Sequence, residues 1–145
     1  MEKELNPEVK EYLKQAYLFR GTTDVQFNFR RSGDFYYGCG NSRQGYSTST
    51  SLNPVYAIFC GVGRCKDFES AKPMLLTIKP DNYLDSMREG LEFGTIGSEI
   101  EILGKIDFKD IVVVDSLDKF LEVYPNATPK GIRAFQENIL ERLGK

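Results

Sequence analysis

The chain has no histidine and no tryptophan among its 145 residues. Without imidazole it lacks the commonest general base, the usual metal ligand and any Ser-His or Cys-His nucleophile pair. Chemistry, if there is any, must fall to carboxylates, hydroxyls, Arg or Lys. Cysteine is scarce: Cys39, Cys60 and Cys65 are odd in number and lack CxxC spacing, which argues against a disulfide framework or a zinc site. Free thiols in a reducing compartment are expected. No apolar run approaches membrane-spanning length, and the charged start MEKELNPEVKEYLKQ has no signal-peptide core. The expectation is a cytoplasmic protein without a membrane partner, which if exported would act in a host or target cytosol. The formal charge is −2, from 19 basic and 21 acidic side chains, so no global field draws it to nucleic acid or anionic lipid.

What is present is a normal globular supply. Hydrophobic residues make up 41%, and 10 Phe with 8 Tyr can fill a core without Trp. The length suits one domain over residues 1–145, and no repeat, linker or low-complexity segment divides it.

Asn6 before Pro7 predicts a capped helix start, with Val9, Tyr12, Leu13 and Ala16 at helical spacing. Tyr17-Leu18-Phe19 reads as a buried strand that stops in a turn at Arg20-Gly21-Thr22-Thr23. From Gln26 to Asn41, loosely alternating aromatics broken by glycines predict short strands or an ordered loop. Gly45 to Ser51 reads as a strand, Asn53-Pro54 as a second capped helix start through Phe59, and Gly61-Val62-Gly63-Arg64 as a turn. Met74 to Ile78, Glu99 to Ile106 and Ile111 to Val114 are further strands. Asp85 to Ser98 reads as loop, and Leu117 to Tyr124 and Pro129 to Leu143 carry helical spacing. The class is α+β.

Three short stretches stand out. Glu99-Ile100-Glu101 on a strand places both carboxylates on one face and Ile100 with Ile102 on the other, which alternation in any one-sided sheet would also produce. The run Ser47-Thr48-Ser49-Thr50-Ser51 is a hydroxyl-bearing strand, and Phe19-Arg20-Gly21 delivers a permanent cation beside a glycine that permits close backbone approach. Each alone suits an ordinary solvated surface.

Together and in this order they resemble the Arg-Ser-Glu class of mono-ADP-ribosyltransferases, the toxin-like group related to clostridial and cholera-type toxins. The motifs are LFRGT (Leu18 to Thr22), GYSTSTSLNPVYAIF (Gly45 to Phe59) and SEIEIL (Ser98 to Leu103). The resemblance implies a mixed β-sandwich core of two small sheets with flanking helices, NAD as co-substrate and no metal. It assigns Arg20 to the NAD diphosphate, the Gly21 backbone to the nicotinamide carboxamide, and Ser49 to holding the catalytic Glu, with Thr50 and Ser51 as support. Both Ser49-Thr50-Ser51 and Ser47-Thr48-Ser49 match the family triplet. Glu101 would stabilise the oxocarbenium-like sugar, and Glu99 would position the nucleophile. Phe59 and Arg64 match positions that stack on nicotinamide and meet a phosphate, or else are a core Phe and a solvated Arg. Phe93 and Thr95 lie in the segment that corresponds to the substrate-recognition loop. The implied partner is a macromolecular acceptor, protein arginine being favoured by Glu99 over nucleic acid. NAD hydrolysis or a catalytically idle binding module are alternatives. A bacterial or phage toxin or effector, with an antitoxin or immunity protein, is the implied setting.

Overall fold

The structure, a computed structural model, describes residues 3–38, 40–42, 45–65, 70–90, 93–94 and 96–144. In chain order the elements are β1 (Lys3–Glu4), α1 (Pro7–Leu13), β2 (Leu18–Thr23), α2 (Asp24–Phe29), β3 (Arg31–Ser32), β4 (Phe35–Tyr36), β5 (Gly40–Ser42), β6 (Gly45–Ser51) and α3 (Pro54–Arg64). They continue with β7 (Pro73–Ile78), β8 (Met87–Glu89), β9 (Glu99–Leu103), β10 (Ile106–Asp107), β11 (Ile111–Val113), α4 (Leu117–Val123) and α5 (Pro129–Phe135). The larger sheet has the order β1-β8-β9-β6-β2-β7-β11, with β5 paired to β6; the smaller is β10-β4-β3. Every pairing is antiparallel, so the fold is α+β with two antiparallel sheets and several helices.

Helix starts follow local chemistry. Asn6 Oδ1 accepts from the Val9 amide at 2.9 Å, and Asn53 Oδ1 from those of Val55 and Tyr56, with Pro7 and Pro54 opening each helix. Such a cap contributes about 1 kcal/mol. Thr23 and Thr128 cap α2 and α5 in the same way.

Alternate residues of β2 feed two separate cores. Leu18 packs with Leu13, Met87, Ile100 and Ile102 on one side of the large sheet. Phe19 packs with Ala57, Ile58, Phe120 and Phe135 under α3, α4 and α5 on the other. Each fully buried aliphatic side chain contributes roughly 1.5–3 kcal/mol.

Several expectations are corrected. Arg20 lies inside β2 and not in a turn, because the β7 ladder continues to Thr23↔Pro73. The Gly61 to Arg64 stretch continues α3. A Cβ at Gly61 would stand 2.9 Å from the Thr22 carbonyl oxygen, so this glycine permits close helix-strand packing instead of a turn. Residues 24–29 form α2, and Met87–Glu89 is a strand inside the expected loop. The strand from Glu99 ends at Leu103, where Gly104 takes φ +85° before β10. Cys39 lies outside the described residues.

Tyr83 ties the segment after β7 to the small sheet. Its hydroxyl donates to Asp110 Oδ2 at 2.6 Å and accepts from the Asp107 amide at 2.9 Å. Burial and the bond to Asp110 push its pKa up to about 12. The folded state therefore holds the proton more tightly than the unfolded chain, so stability is complete below about pH 10 and falls as pH rises toward 12. Tyr83→Phe should cost about 1–2 kcal/mol at neutral pH and lose this alkaline component, as read by denaturant titrations from pH 7 to 11.5.

Candidate active site

β6 and β9 pair over five positions, with Ser49 opposite Glu101, Thr50 opposite Ile100 and Ser51 opposite Glu99. Ile100 and Ile102 are fully buried in the first core, so Glu99 and Glu101 leave the sheet on the other face, the one that carries α3. Both carboxylate residues are half-buried. Ser49 Oγ donates to Glu99 Oε1 at 3.3 Å.

The hydroxyls of the triplet divide their work. Thr50 Oγ1 donates to the Ile100 carbonyl at 2.7 Å, locking β6 to β9. Ser51 Oγ donates to the Gly97 carbonyl and accepts from the Asn53 amide at 2.9 Å. One side chain thus joins the approach to Glu99 with the start of α3. The Ser47 and Thr48 hydroxyls are buried and without a hydrogen-bond partner among the described residues. The hydroxyls that engage β9 and its approach are therefore those of residues 49–51.

Arg20 reaches this constellation through the sheet. β2 pairs with β7 over six positions but with β6 only at Phe19↔Ser51. Beyond that pair Arg20 bridges the two strands: Nη1 donates to the Ser49 carbonyl at 2.8 Å, and Nε donates to the Tyr36 hydroxyl at 3.0 Å. By the pleat, Arg20 leaves β2 on the face opposite Phe19, hence opposite the carboxylates. It is only 2% exposed. In this conformation its guanidinium braces the Ser49 strand from behind instead of presenting an open anion site.

Gly21 has the same kind of explanation. A Cβ there would stand 1.6 Å from the Ala57 carbonyl oxygen, so the backbone that approaches this glycine closely is that of α3. Arg64 Nη1 donates to the Gly21 carbonyl, bringing a cation from the end of α3 to β2. Phe59, in the middle of α3, is 53% exposed and therefore not a core residue. Phe93 is half-buried against the first core and, with Val9, Leu52 and Ser98, lines a cavity of about 310 Å³. Thr95 lies outside the described residues.

Four residues that the sequence reading passed over complete the site. Arg88 on β8 stands opposite Glu101 in register, and its Nη1 donates to the Met87 carbonyl at 2.7 Å. Gly90 leaves room for Glu99, since a Cβ there would meet Glu99 Cγ at 2.4 Å. Tyr56 lays its ring on Gly97, where a Cβ would come within 2.9 Å of it. Ser98, just before Glu99, holds φ 42°, a left-handed conformation that costs a serine of order 1 kcal/mol and is retained where surroundings enforce it. Tyr56 and Ser98 lie within the motifs GYSTSTSLNPVYAIF and SEIEIL but have no role assigned by the resemblance, and Arg88 and Gly90 left no trace in the sequence.

Among the described residues no group of three or more Cys, Asp or Glu is arranged to hold a metal ion. No helix among them is long and apolar enough to cross a membrane. Comparison with protein-family models, curated proteins and solved structures finds no match to this chain.

Proposed function

We propose that this chain is an NAD-dependent mono-ADP-ribosyltransferase of the Arg-Ser-Glu type, its two sheets forming the sandwich core of that class. It would break the nicotinamide-ribose bond and pass ADP-ribose to a macromolecular acceptor, with protein arginine favoured. The observation that carries this reading is the register of β6 on β9. Three motifs far apart in the sequence meet there: Ser49 faces Glu101, bonds Glu99, and has its own carbonyl held by Arg20.

The chain's residues suit NAD as substrate. Phe59 offers an exposed ring to a planar heterocycle, and Arg64 offers a cation from the same helix. With Arg20 turned to the back of the sheet, Arg64 takes the diphosphate role here and Arg20 keeps the strand in place. Nicotinamide leaves with the bonding electron pair, which neutralises its ring nitrogen. Glu101 accepts a hydrogen bond from the ribose and stabilises the cationic sugar left behind. Glu99 binds the acceptor guanidinium and takes its proton as the new C–N bond forms. A toxin or effector acting in a cytosol, restrained by an antitoxin or immunity protein, is the biological setting this chemistry suits.

The test is to incubate the purified chain with NAD labelled in the adenylate half and a cell lysate, following free nicotinamide and labelled macromolecule separately. Folded protein that yields neither removes the reading. Glu99→Gln should lower transfer by about 10²-fold, the scale of a lost general base, while hydrolysis of NAD by water changes by less than about threefold. Equal loss of both activities would show that the two carboxylates do not divide the work.

A further inference from the structure

A second surface lies away from the carboxylates, around the end of α2. Phe29, Arg30, Arg31, Ser32, Tyr37 and Tyr46 line a cavity of about 310 Å³. Its chemistry is unusual for a chain of net negative charge: among the described residues the lining has two guanidiniums, three aromatic rings, three hydroxyls and no carboxylate. Phe29 is 75% exposed and Tyr46 54%, so two rings are offered to solvent. The Arg30 guanidinium stands 5.4 Å from the Phe29 ring centroid, and that of Arg31 stands 4.4 Å from Phe108. Arg30 Nε is buried and has no hydrogen-bond partner among the described residues. Tyr37 and Tyr46 pack edge to face at 5.7 Å, which fixes the orientation of the exposed ring.

We propose that this cavity binds single-stranded nucleic acid, one base seated between the exposed rings and the flanking phosphates on Arg30 and Arg31. Aromatic platforms beside cations are what base stacking and backbone neutralisation require, and a cavity of this volume is at the small end of ligand sites, enough for one nucleoside. An acidic peptide would use the two cations but not the rings. An apolar peptide would find no aliphatic wall. The adenosine half of NAD is the less suitable occupant. Tyr46 and Ser49 lie three residues apart on β6, so their side chains leave opposite faces, and a substrate held at Ser49, Glu99 and Glu101 lies on the other side of the sheet. The surface is independent of the carboxylate chemistry, so either proposal stands if the other fails.

Fluorescence anisotropy of the full chain with labelled ten-nucleotide single-stranded RNA and DNA tests the proposal. Binding is expected to weaken with salt along a log-log slope of about −1.4, for two neutralised phosphates. Phe29→Ala with Tyr46→Ala, both exposed positions, should weaken it at least tenfold with melting temperature unchanged. Arg31→Gln should weaken it and flatten the salt slope. Absence of binding by the unaltered chain, indifference to the aromatic substitutions, equal affinity for oligoglutamate, or displacement by NAD at concentrations that saturate the carboxylate site would each overturn it.

Discussion

Glu101→Gln should reduce nicotinamide release by about 10²–10³-fold and transfer by the same factor, while the protein melts at nearly its original temperature. The size follows from the role proposed for Glu101: a charge aimed at a cation that exists only in the transition state, for which one removed electrostatic partner costs roughly 2.7–4 kcal/mol of barrier. Gln keeps the shape and one acceptor, so ground-state binding of NAD changes little and the loss falls on kcat rather than KM. The fold should accept the change because Gln has nearly the same volume as Glu, and Ile100 with Ile102 carries the packing of β9. A Glu101→Gln protein that releases nicotinamide at the parental rate would remove Glu101 from the chemistry.

The second large effect is structural. Gly21→Ala should destabilise the fold by more than about 4 kcal/mol, because the added carbon would lie 1.6 Å from the Ala57 carbonyl oxygen. The clash is backbone against Cβ, so no rotamer relieves it, and α3 would have to lift from β2 and uncover Ala57 and Ile58. Gly63→Ala is the matched control. It lies on the same helix, a Cβ there meets nothing within 4 Å, and alanine should gain about 0.5–1 kcal/mol from helix propensity. Thermal melts followed by circular dichroism separate the two. A Gly21→Ala protein that melts normally but loses NAD affinity would mean that a ligand, not the helix, needs that glycine.

The sequence made the acidic strand legible because a period of two is a local property. Glu99 and Glu101 had to share a face once the strand existed, and Ile100 with Ile102 had to be the buried set. The Asn-Pro pairs at residues 6–7 and 53–54 were equally readable, since a cap acts within one helical turn. Arg20 was not readable in the same way. Its burial depends on how β2 pairs with β6 and on Tyr36 arriving from the small sheet, both long-range outcomes. Residues 24–29 carry Phe27 and Phe29 at strand-like spacing, yet fold as a helix behind the Thr23 cap. Arg88 escaped notice because β8 has three residues inside a glycine-containing stretch, too short to display a period.

The single pair Phe19↔Ser51 gives the large sheet a mechanical seam. On one side of it β1, β8, β9, β5 and β6 carry the acidic residues, and on the other β2, β7 and β11 carry α3 with Arg64. Leu18 and Ile78 on the second side nonetheless pack with Met87, Ile100 and Ile102 on the first, so the seam is held by a shared apolar core more than by ladder hydrogen bonds. The Arg20 hydrogen bond to the Ser49 carbonyl crosses the same seam, which makes this buried cation part of what keeps the two sides in register.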